Sequence, residues 1–297
     1  MTVAYNLNLS SVDITNVELV RMGHDFKESL TLTAQDVIDV TDADNILNVI
    51  VHAEDSITSG SAWVYVEDVM SVGQIYHQYT SGAATINVYI EAGTQVGFAK
   101  PADSFTETTA NVFDAVDNNN SSISKEHVSD DLTINGKDGN DLMAGGAGDD
   151  GLNGGNGNDS MRGNSGINTL NGDAGDDLLI YSNSDSTYDG GADTDTLQLV
   201  NQNDEIDLST LTLTNIEVFD LSSIYSNSTR LTAQDVLDVT DVGDLLIIAG
   251  DANDAVTSTG QAWVAGGTQN VGGQDYDVYT SGAATLYIDE DIIQTIS

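Results

Sequence analysis

The sequence predicts a mainly β protein: an elongated chain with a parallel β-roll flanked by two homologous β-rich modules, each carrying a short helix. Three observations lead to this prediction. Apolar residues recur at every ninth position in the middle of the chain, and aspartates recur two positions before them. Long segments on either side of this region repeat each other at an offset of 199 or 200 residues.

The nine-residue period describes a coil with one inward side chain per repeat. Each repeat is interpreted as a six-residue loop, where glycine tolerates positive φ, followed by a three-residue strand. Two repeats make one turn, so successive loops fall on alternate edges. The apolar series is Ile134, Met143, Leu152, Met161, Leu170, Leu179, Tyr188 and Leu197. The residues two positions earlier are Leu132, Asp141, Asp150, Asp159, Asn168, Asp177, Ser186 and Asp195.

The alternating loops sort the acidic residues into two columns that favour calcium binding. One edge carries Asp141, Asp159, Asp177 and Asp195, and the other carries Asp150, Asn168 and Ser186. Calcium takes about six to eight oxygen ligands from carboxylates and carbonyls, and stacked loops offer both. We expect roughly three good sites on the first edge and one or two poorer ones on the second, within a total of roughly three to six ions.

The expected ligands are the loop carboxylates together with main-chain carbonyls of the loops. They are Gly136, Asp138, Asp141, Gly145, Ala147, Asp150, Gly154, Asn156, Asp159, Gly163, Asn168, Gly172, Ala174, Asp177 and Asp195. Because the inner core is thin and the loop carboxylates repel each other, we expect this region to fold only with calcium.

Residues 136–198 resemble the RTX (repeats-in-toxin) family, whose consensus is G-G-x-G-x-D-x-apolar-x. Repeats 145–153 and 154–162 match it well, whereas Lys137 and Asp173 replace the second glycine in two others. Repeats 163–171 and 181–189 are degenerate, and 190–198 has Asp193 at its fourth position. The resemblance implies calcium-triggered folding outside the cell and export by a type I secretion system. A flexible linker rich in Gly and Asn would not keep apolar residues in register over eight repeats.

Composition narrows the classes of partner. The net charge is −41, with 48 acidic against 7 basic residues, which excludes nucleic acid and anionic membranes as natural partners and favours cations. The chain has no cysteine, so disulfides and thiolate metal sites are excluded. The N-terminus lacks the pattern of a cleaved signal peptide, and no apolar run is long enough to span a bilayer. We expect a monomer.

The two flanking modules share several segments. Residues 32–42 recur at 231–241, 79–85 recur at 279–285, and the triplet 16–18 recurs at 215–217. The layout is therefore a first module at 1–100, a linker at 101–130, the roll at 131–200 and a second module at 201–297. Whether the modules pack on each other or cover opposite ends of the roll stays open, although covering both open edges favours the latter.

Within the modules, residues 46–51, 87–90, 245–248 and 285–288 are expected to be strands, and each Thr-Ala-Gln-Asp segment a short helix. Thr33 and Thr232 are the expected N-caps, with Asp36 and Asp235 at the third helical position. Capping by these aspartates is favoured over calcium binding. The recurring Trp63 and Trp263 are assigned to the core rather than to a sugar site.

In the linker, a short helix is expected near residues 108–116. The modules also resemble β-rich units beside RTX repeats near the C-terminal end of large bacterial surface adhesins. Residues 231–297 contain no Lys, Arg or His and resemble the uncleaved C-terminal signals of type I secretion. An ordinary final pair of strands is the alternative, and the two can coexist.

No catalytic motif stands out. There is no His-Glu-x-x-His, Gly163-Asn164-Ser165-Gly166-Ile167 fails the Gly-x-Ser-x-Gly pattern at its last position, and the four histidines are scattered. We therefore expect a non-enzymatic, calcium-dependent folding and export region of a secreted, cell-surface RTX adhesin involved in attachment and biofilm formation. The alternatives are a calcium-dependent module for a surface glycan or peptide, and the C-terminal part of an RTX hydrolase.

Overall fold

The computed structural model describes residues 5–9, 17, 19–22, 28–41, 45–51, 56–59, 61, 63–71, 74–90, 95–96, 105–115, 121–125, 128–182, 187–200, 205–223, 226–240 and 243–297. Chain contacts divide the protein into two compact units, Met1–Asp103 and Ser104–Ser297. Within the described ranges no helix is long and apolar enough to cross a membrane. The mainly β fold with parallel sheets confirms the predicted fold class.

In the described part of unit 1, strands alternate between two sheets. The elements are β1 (Tyr5–Asn8), β2 (Leu19–Arg21), β3 (Glu28–Leu32), α1 (Ala34–Val40), β4 (Ile46–Val51), β5 (Ser56–Ser59), β6 (Val64–Ser71), β7 (Gln74–Ser81), β8 (Ala84–Ile90) and β9 (Gln95–Val96). One sheet has the order β1-β3-β5-β9 and is parallel. The other has the order β2-β4-β8-β7-β6, parallel from β2 to β8 and antiparallel in its β6–β8 part.

The core of unit 1 lies between these sheets and under α1. Leu30, Leu47, Ile57 and Ile86 are buried together, and Val37 of the helix joins them. Alternate residues of β3, β4 and β8 therefore point inward, as expected for strands with one face on a core. The predicted strand 46–51 coincides with β4, and the predicted strand 87–90 lies within β8.

Unit 2 begins with further parallel strands and continues through the repeats. Its first elements are β10 (Phe105–Thr109), β11 (Val112–Ala115), β12 (Ser122–Ser124), β13 (Thr133–Asp138), β14 (Leu142–Ala144), β15 (Gly151–Asn156), β16 (Ser160–Arg162), β17 (Thr169–Ala174), β18 (Leu178–Ile180), β19 (Thr187–Asp189) and β20 (Thr196–Gln198). The register pairs residue i with residue i+18 along both sides of the repeat region, as in Ile134 with Leu152 and Met143 with Met161. This confirms a β-roll of two repeats per turn.

The predicted inward series forms the centre of the roll. The eight side chains from Ile134 to Leu197 at the ninth positions are at most 1 % exposed. One apolar residue of each repeat therefore faces the core, although β13, β15 and β17 are six residues long rather than the expected three.

The second module of unit 2 has its own set of elements. They are β21 (Glu205–Asp207), a 3-10 helix (Leu208–Thr210), β22 (Leu213–Thr214), β23 (Val218–Asp220), β24 (Ser228–Arg230), α2 (Ala233–Val239), β25 (Leu245–Ala249), β26 (Ala255–Ser258), β27 (Val264–Val271), β28 (Gln274–Ser281), β29 (Ala284–Asp289) and β30 (Ile293–Ile296). The strands predicted at 245–248 and 285–288 fall within β25 and β29.

Three sheets organise unit 2. What we call the roll sheet has the order β10-β11-β13-β15-β17-β19-β22, and the end sheet has the order β21-β24-β26-β30. The long sheet has the order β12-β14-β16-β18-β20-β23-β25-β29-β28-β27. Because the long sheet runs through both the roll and the second module, that module continues the coil of the repeats. The buried residues of both regions form one apolar cluster.

The stretch predicted as a linker, 101–130, is not a simple linker. Strand β11 pairs in parallel with β13, and β12 pairs in parallel with β14, so both extend the sheets of the roll. Ile123 of β12 is 3 % exposed and belongs to the same core as the repeats. Residues 101–104, 116–120 and 126–127 lie outside the described ranges.

The prediction of a helix near residues 108–116 was wrong. Strands β10 and β11 form an antiparallel hairpin, with Asn111 at a φ of 62° in its turn. Asparagine tolerates this left-handed conformation, and the neighbouring threonines and Val112 favour strands because their branched side chains restrict χ1.

The predicted short helices and their caps are confirmed in both modules. Thr33 and Thr232 are N-caps whose side chains accept the N–H of Asp36 and Asp235, and each aspartate accepts the N–H of its threonine in return. These reciprocal bonds form a capping box, which occupies main-chain N–H groups that have no partner within the helix. The aspartates therefore act as caps.

The recurring tryptophans also have a structural role. Trp63 and Trp263 are partly buried against the cores of their units. The indole N–H of Trp63 donates to the Ser59 Oγ at 2.8 Å, and that of Trp263 donates to the Ser258 Oγ at 2.7 Å. An indole with an apolar body in the core and a bonded N–H fits the predicted core role.

Candidate metal centre

The first edge of the roll is a column of buried aspartates. Asp141, Asp159, Asp177 and Asp195 are at most 2 % exposed. Each is the last residue of a turn, directly before a strand of the long sheet, and the 18-residue register stacks the four turns. The column therefore forms wherever the coil repeats in phase.

One carboxylate oxygen of each aspartate joins two neighbouring coils. The N–H of Asp141 donates to Asp159 Oδ1 at 2.6 Å, that of Asp159 to Asp177 Oδ1 at 2.7 Å, and that of Asp177 to Asp195 Oδ1 at 2.8 Å. These bonds hold the carboxylates in a fixed orientation between coils. A hydrogen bond from a main-chain N–H to a charged acceptor is stronger than one between neutral groups.

The second oxygen has a different environment. The Oδ2 atoms of Asp159, Asp177 and Asp195 are buried and accept no hydrogen bond within the protein. Burying a carboxylate oxygen without a partner costs free energy, so such groups are normally paired with a donor or a cation. Each of these coils thus presents an oxygen that is ready for a cation.

Glycines bring main-chain oxygens to the same place. A Cβ added to Gly154 would overlap Asp159 Oδ2 and also the carbonyl oxygen of Gly172 at 2.7 Å. A Cβ on Gly172 would meet Asp177 Oδ2 and the Gly190 carbonyl in the same way, and one on Gly136 would meet Asp141 Oδ2 and the Gly154 carbonyl. The missing side chain therefore leaves room where a carboxylate oxygen and a carbonyl oxygen converge.

The pKa values in this column reflect burial without a counter-charge. Burial, together with the smaller effect of the nearby carboxylates of Asp177 and Asp141, raises the pKa of Asp159 to about 8. Burial likewise raises the pKa of Asp195 to about 7 and that of Asp177 to about 6. A bound cation would remove this penalty, because it favours the charged form of each carboxyl group.

The second edge is different. Asp150 Oδ1 accepts the N–H of Leu132 at 2.8 Å, and its Oδ2 accepts the N–H of Gly146 at 2.6 Å. Asn168 replaces the next aspartate, and its Oδ1 accepts the N–H of Asp150. Ser186 lies outside the described ranges. Main-chain donors thus occupy both oxygens of Asp150, which is consistent with the expected weaker sites on this edge.

The remaining predicted ligands lie in the turns of the coil. Asp138 Oδ1 accepts a hydrogen bond from the Asn156 side chain at 2.6 Å, and the carbonyls of Asn156 and Ala174 accept the N–H groups of Gly139 and Gly157. Ala147 is exposed, whereas Gly145 and Gly163 line the second edge next to Asp150 and Asn168. Their coordination of calcium stays a prediction.

A second column of side chains was missed by the sequence analysis. Asn140, Asn158 and Asp176 immediately precede the first-edge aspartates, and each accepts, through Oδ1, the N–H of the residue 18 positions later. The sequence did contain a signal for this column, because an Asn or Asp directly precedes most of the repeat aspartates. Two columns of side chains therefore link each coil to its neighbours in opposite directions.

Among the described residues, no three His, Asp or Glu side chains gather around one point. On the first edge, a carboxylate oxygen and a main-chain carbonyl oxygen meet beside Gly136, Gly154 and Gly172. Calcium accepts this mixture, since its coordination is flexible and made of oxygen. The donor set thus fits calcium.

Sequence comparison gives the same result. The RTX calcium-binding nonapeptide repeat matches the chain at residues 133–161, 153–187 and 162–197. Residues 133–197 therefore match the RTX repeat, and the match covers only this part of the chain. The matched repeat is described as calcium-binding, which agrees with the oxygen donors of the first edge. Neither the curated proteins nor the solved structures compared with the chain gave a match.

Proposed function

We propose that the RTX repeats are a calcium-dependent folding element in the structural and export region of a secreted bacterial adhesin. The observation that carries this proposal is the column of buried carboxylates, in which the Oδ2 atoms of Asp159, Asp177 and Asp195 accept no hydrogen bond. Such a column is costly when it is metal-free and favourable when a cation lies between the coils.

In this proposal, side chains and the main chain supply different ligands to calcium. Asp141, Asp159, Asp177 and Asp195 supply carboxylate oxygens, and the loop glycines supply carbonyls from the neighbouring coil. When bound, calcium supplies positive charge that cancels the repulsion within the column. In the folded roll, the hydrogen bonds through Oδ1 hold the coils at a fixed spacing and orient the carboxylates.

The export part of the proposal links folding to location. A bacterial cytosol is poor in free calcium relative to most external media, so the roll would stay unfolded inside the cell and fold outside. Residues 231–297, without a basic residue, would serve as the C-terminal secretion signal before they fold. In the folded protein the last strand, β30, pairs with β26 of the end sheet, so both interpretations of this segment are compatible.

The adhesin part rests on the architecture of unit 2. The coil of the repeats continues into the second module through the long sheet, which supports a structural role. We propose a non-enzymatic role in cell-surface attachment and biofilm formation, with calcium and the type I exporter as partners. A surface glycan or peptide ligand remains the alternative partner.

The test is far-UV circular dichroism of the full chain during a calcium titration after chelation, with magnesium as the control. We expect a β signal that grows cooperatively with calcium and not with magnesium. A spectrum that is fully folded in chelator and indifferent to calcium would refute calcium-dependent folding. For the export part, the chain with residues 231–297 deleted should lose secretion through a type I exporter, and unchanged secretion would count against it.

A further inference from the structure

The aspartate column does not end with the repeats. Its last repeat residue, Asp195, donates its N–H to Oε2 of Glu217 at 3.0 Å, just as Asp177 donates to Asp195. Glu217 lies 22 residues beyond Asp195 and belongs to the second module rather than to an RTX repeat. A glutamate from the adjacent module therefore occupies the place of the next repeat's aspartate.

The turn that carries Glu217 is shorter than the turns of the repeats. Tyr188 and Leu197 are nine positions apart (197 − 188), whereas their partners on the next coil, Leu213 and Phe219, are only six apart (219 − 213). Asn215 adopts a φ of 54°, and Ile216 is buried in the core. Glutamate is longer than aspartate by one methylene, which lets it reach the Asp195 N–H from this tighter turn.

A main-chain carbonyl oxygen also lies where the repeats have one. A Cβ on Gly190 would overlap the carbonyl oxygen of Asn215, as a Cβ on Gly154 would meet the carbonyl of Gly172. The nearest atoms of Asp195 to that position are Cβ and Cγ, not Oδ2, so its carboxylate is placed differently from those of Asp159 and Asp177. Asn215 thus takes the part of the first glycine of a further repeat, in a modified geometry.

The second observation concerns Asp195 itself. It is 0 % exposed, and its Oδ2 accepts no hydrogen bond in the protein. The negative charges of Asp177 and Glu217 both raise its pKa, in addition to burial. A buried, unpartnered oxygen next to a second carboxylate is the arrangement that recurs inside the roll.

We propose that Asp195 and Glu217, with the Asn215 carbonyl, form a further calcium site that joins the last RTX repeat to the second module. This inference rests on the proposed calcium binding by the repeats. At the opposite end of the column, the N–H of Ser121 donates to Asp141 Oδ1. The added site would couple the fold of the second module to calcium.

The test compares Glu217→Gln with Glu205→Gln, an identical change at an exposed residue of β21. The glutamine keeps an oxygen for the Asp195 N–H and removes the charge, so Glu217→Gln should fold in high calcium. Metal analysis of the full chain after gel filtration in calcium buffer should give one ion fewer for Glu217→Gln than for the wild type. Glu205→Gln should bind the same number of ions as the wild type.

Hydrogen exchange gives an independent measurement. In the wild type, calcium should increase the protection of β18 and β23, whereas in Glu217→Gln the increase should persist in β18 and be lost in β23. If Glu217→Gln fails to fold, Glu217→Asp keeps the charge but shortens the reach, and weaker binding of the last ion is expected. Equal ion counts and equal protection of β23 in wild type and variants would overturn the site, whereas a wild type that binds no calcium would overturn the proposed function itself.

Discussion

At the scale of the residue, the two edges of the roll differ in how their carboxylates are used. Asp177 gives one oxygen to a main-chain N–H and leaves the other buried without a donor, whereas Asp150 gives both to main-chain N–H groups. The same residue type in the same sequence motif thus has two roles. The difference cannot be read from the motif, since both residues follow a glycine-rich loop.

This difference predicts that replacing aspartate with asparagine has different effects on the two edges. Asp177→Asn should remove calcium from the two sites that share this carboxylate and raise the calcium midpoint of folding. Asp150→Asn leaves one main-chain donor facing an NH₂ group, so it should lower stability by about 1–3 kcal/mol with or without calcium. Thermal unfolding at several calcium concentrations distinguishes the two, and equal calcium dependence of both variants would contradict the assignment of edges.

The raised pKa values predict an unusual pH dependence for the metal-free protein. The pKa values of Asp159, Asp195 and Asp177 lie at about 8, 7 and 6 in the folded chain, above the ordinary 3.8. Protonation therefore favours the folded form, and this stabilisation is lost as the pH rises through about 6 to 8. In chelator, the β signal should be larger at pH 5 than at pH 8.

Calcium should cancel this trend, because it favours the ionised carboxylates for which protons compete. In saturating calcium the β signal should stay constant between pH 6 and pH 8. A metal-free protein that is fully folded at both pH 5 and pH 8 would show that these carboxylates are not buried as the structure has them.

At the scale of the element, the turn glycines decide whether a site can exist. Gly154 and Gly151 both lie in β15, yet a Cβ on Gly154 would overlap a carboxylate and a carbonyl, whereas one on Gly151 would meet nothing within 4 Å. The two glycines therefore form a matched pair in one strand.

Gly154→Ala should raise the calcium midpoint of folding by on the order of tenfold, equivalent to about 1.4 kcal/mol of binding free energy. Gly151→Ala should leave the midpoint unchanged or lower it slightly, because alanine reduces the freedom of the unfolded chain. Circular dichroism during calcium titration measures both. Similar midpoints for the two variants would show that the space beside Gly154 is not part of a site.

The elements that the sequence predicted correctly are those with a repeated local signal. The two capping boxes and the four named strands follow from short patterns that appear twice, so each copy supports the other. The hairpin of β10 and β11 was misassigned because it occurs once and its turn depends on one asparagine, Asn111, in the left-handed region.

At the scale of the whole molecule, the period of the coil explains what the sequence could not reveal. Inside the roll, paired residues are 18 positions apart, but Ile123 pairs with Met143 at 20 positions and Leu197 with Phe219 at 22. Further along, Ile248 pairs with Ile288, and the hairpin of β27 and β28 is inserted between them. A search for a fixed period finds only the coils of constant length, although the same sheet continues beyond them.

Because the long sheet continues past the repeats, calcium binding in the roll is predicted to stabilise the second module as well. Helix α2 packs into the apolar cluster that includes the roll, and its end accepts the N–H of Ile216 through the Val239 carbonyl. Helix α1 has nearly the same sequence, AQDVIDV against AQDVLDV, but belongs to unit 1. Hydrogen exchange of the two helices therefore offers an internal comparison.

Withdrawal of calcium should accelerate exchange in α2 more than in α1. The reason is that loss of the roll removes the neighbouring coil on which the second module is stacked. Mass spectrometry of the two helical peptides from one sample measures both rates under identical conditions. Equal acceleration, or none, would show that the second module is stable without its neighbouring coil.

The stacking of coils in unit 2 also has a mechanical consequence. Parallel strands about 4.8 Å apart are joined by hydrogen bonds that run along the stack, so tension applied in that direction opens them one rung at a time. Breaking the hydrogen bonds of one strand pair after another normally needs little force. Carboxylates from two successive coils that bind one calcium ion would hold those coils together. The calcium concentration around the protein would then set the force at which this part of the chain unfolds.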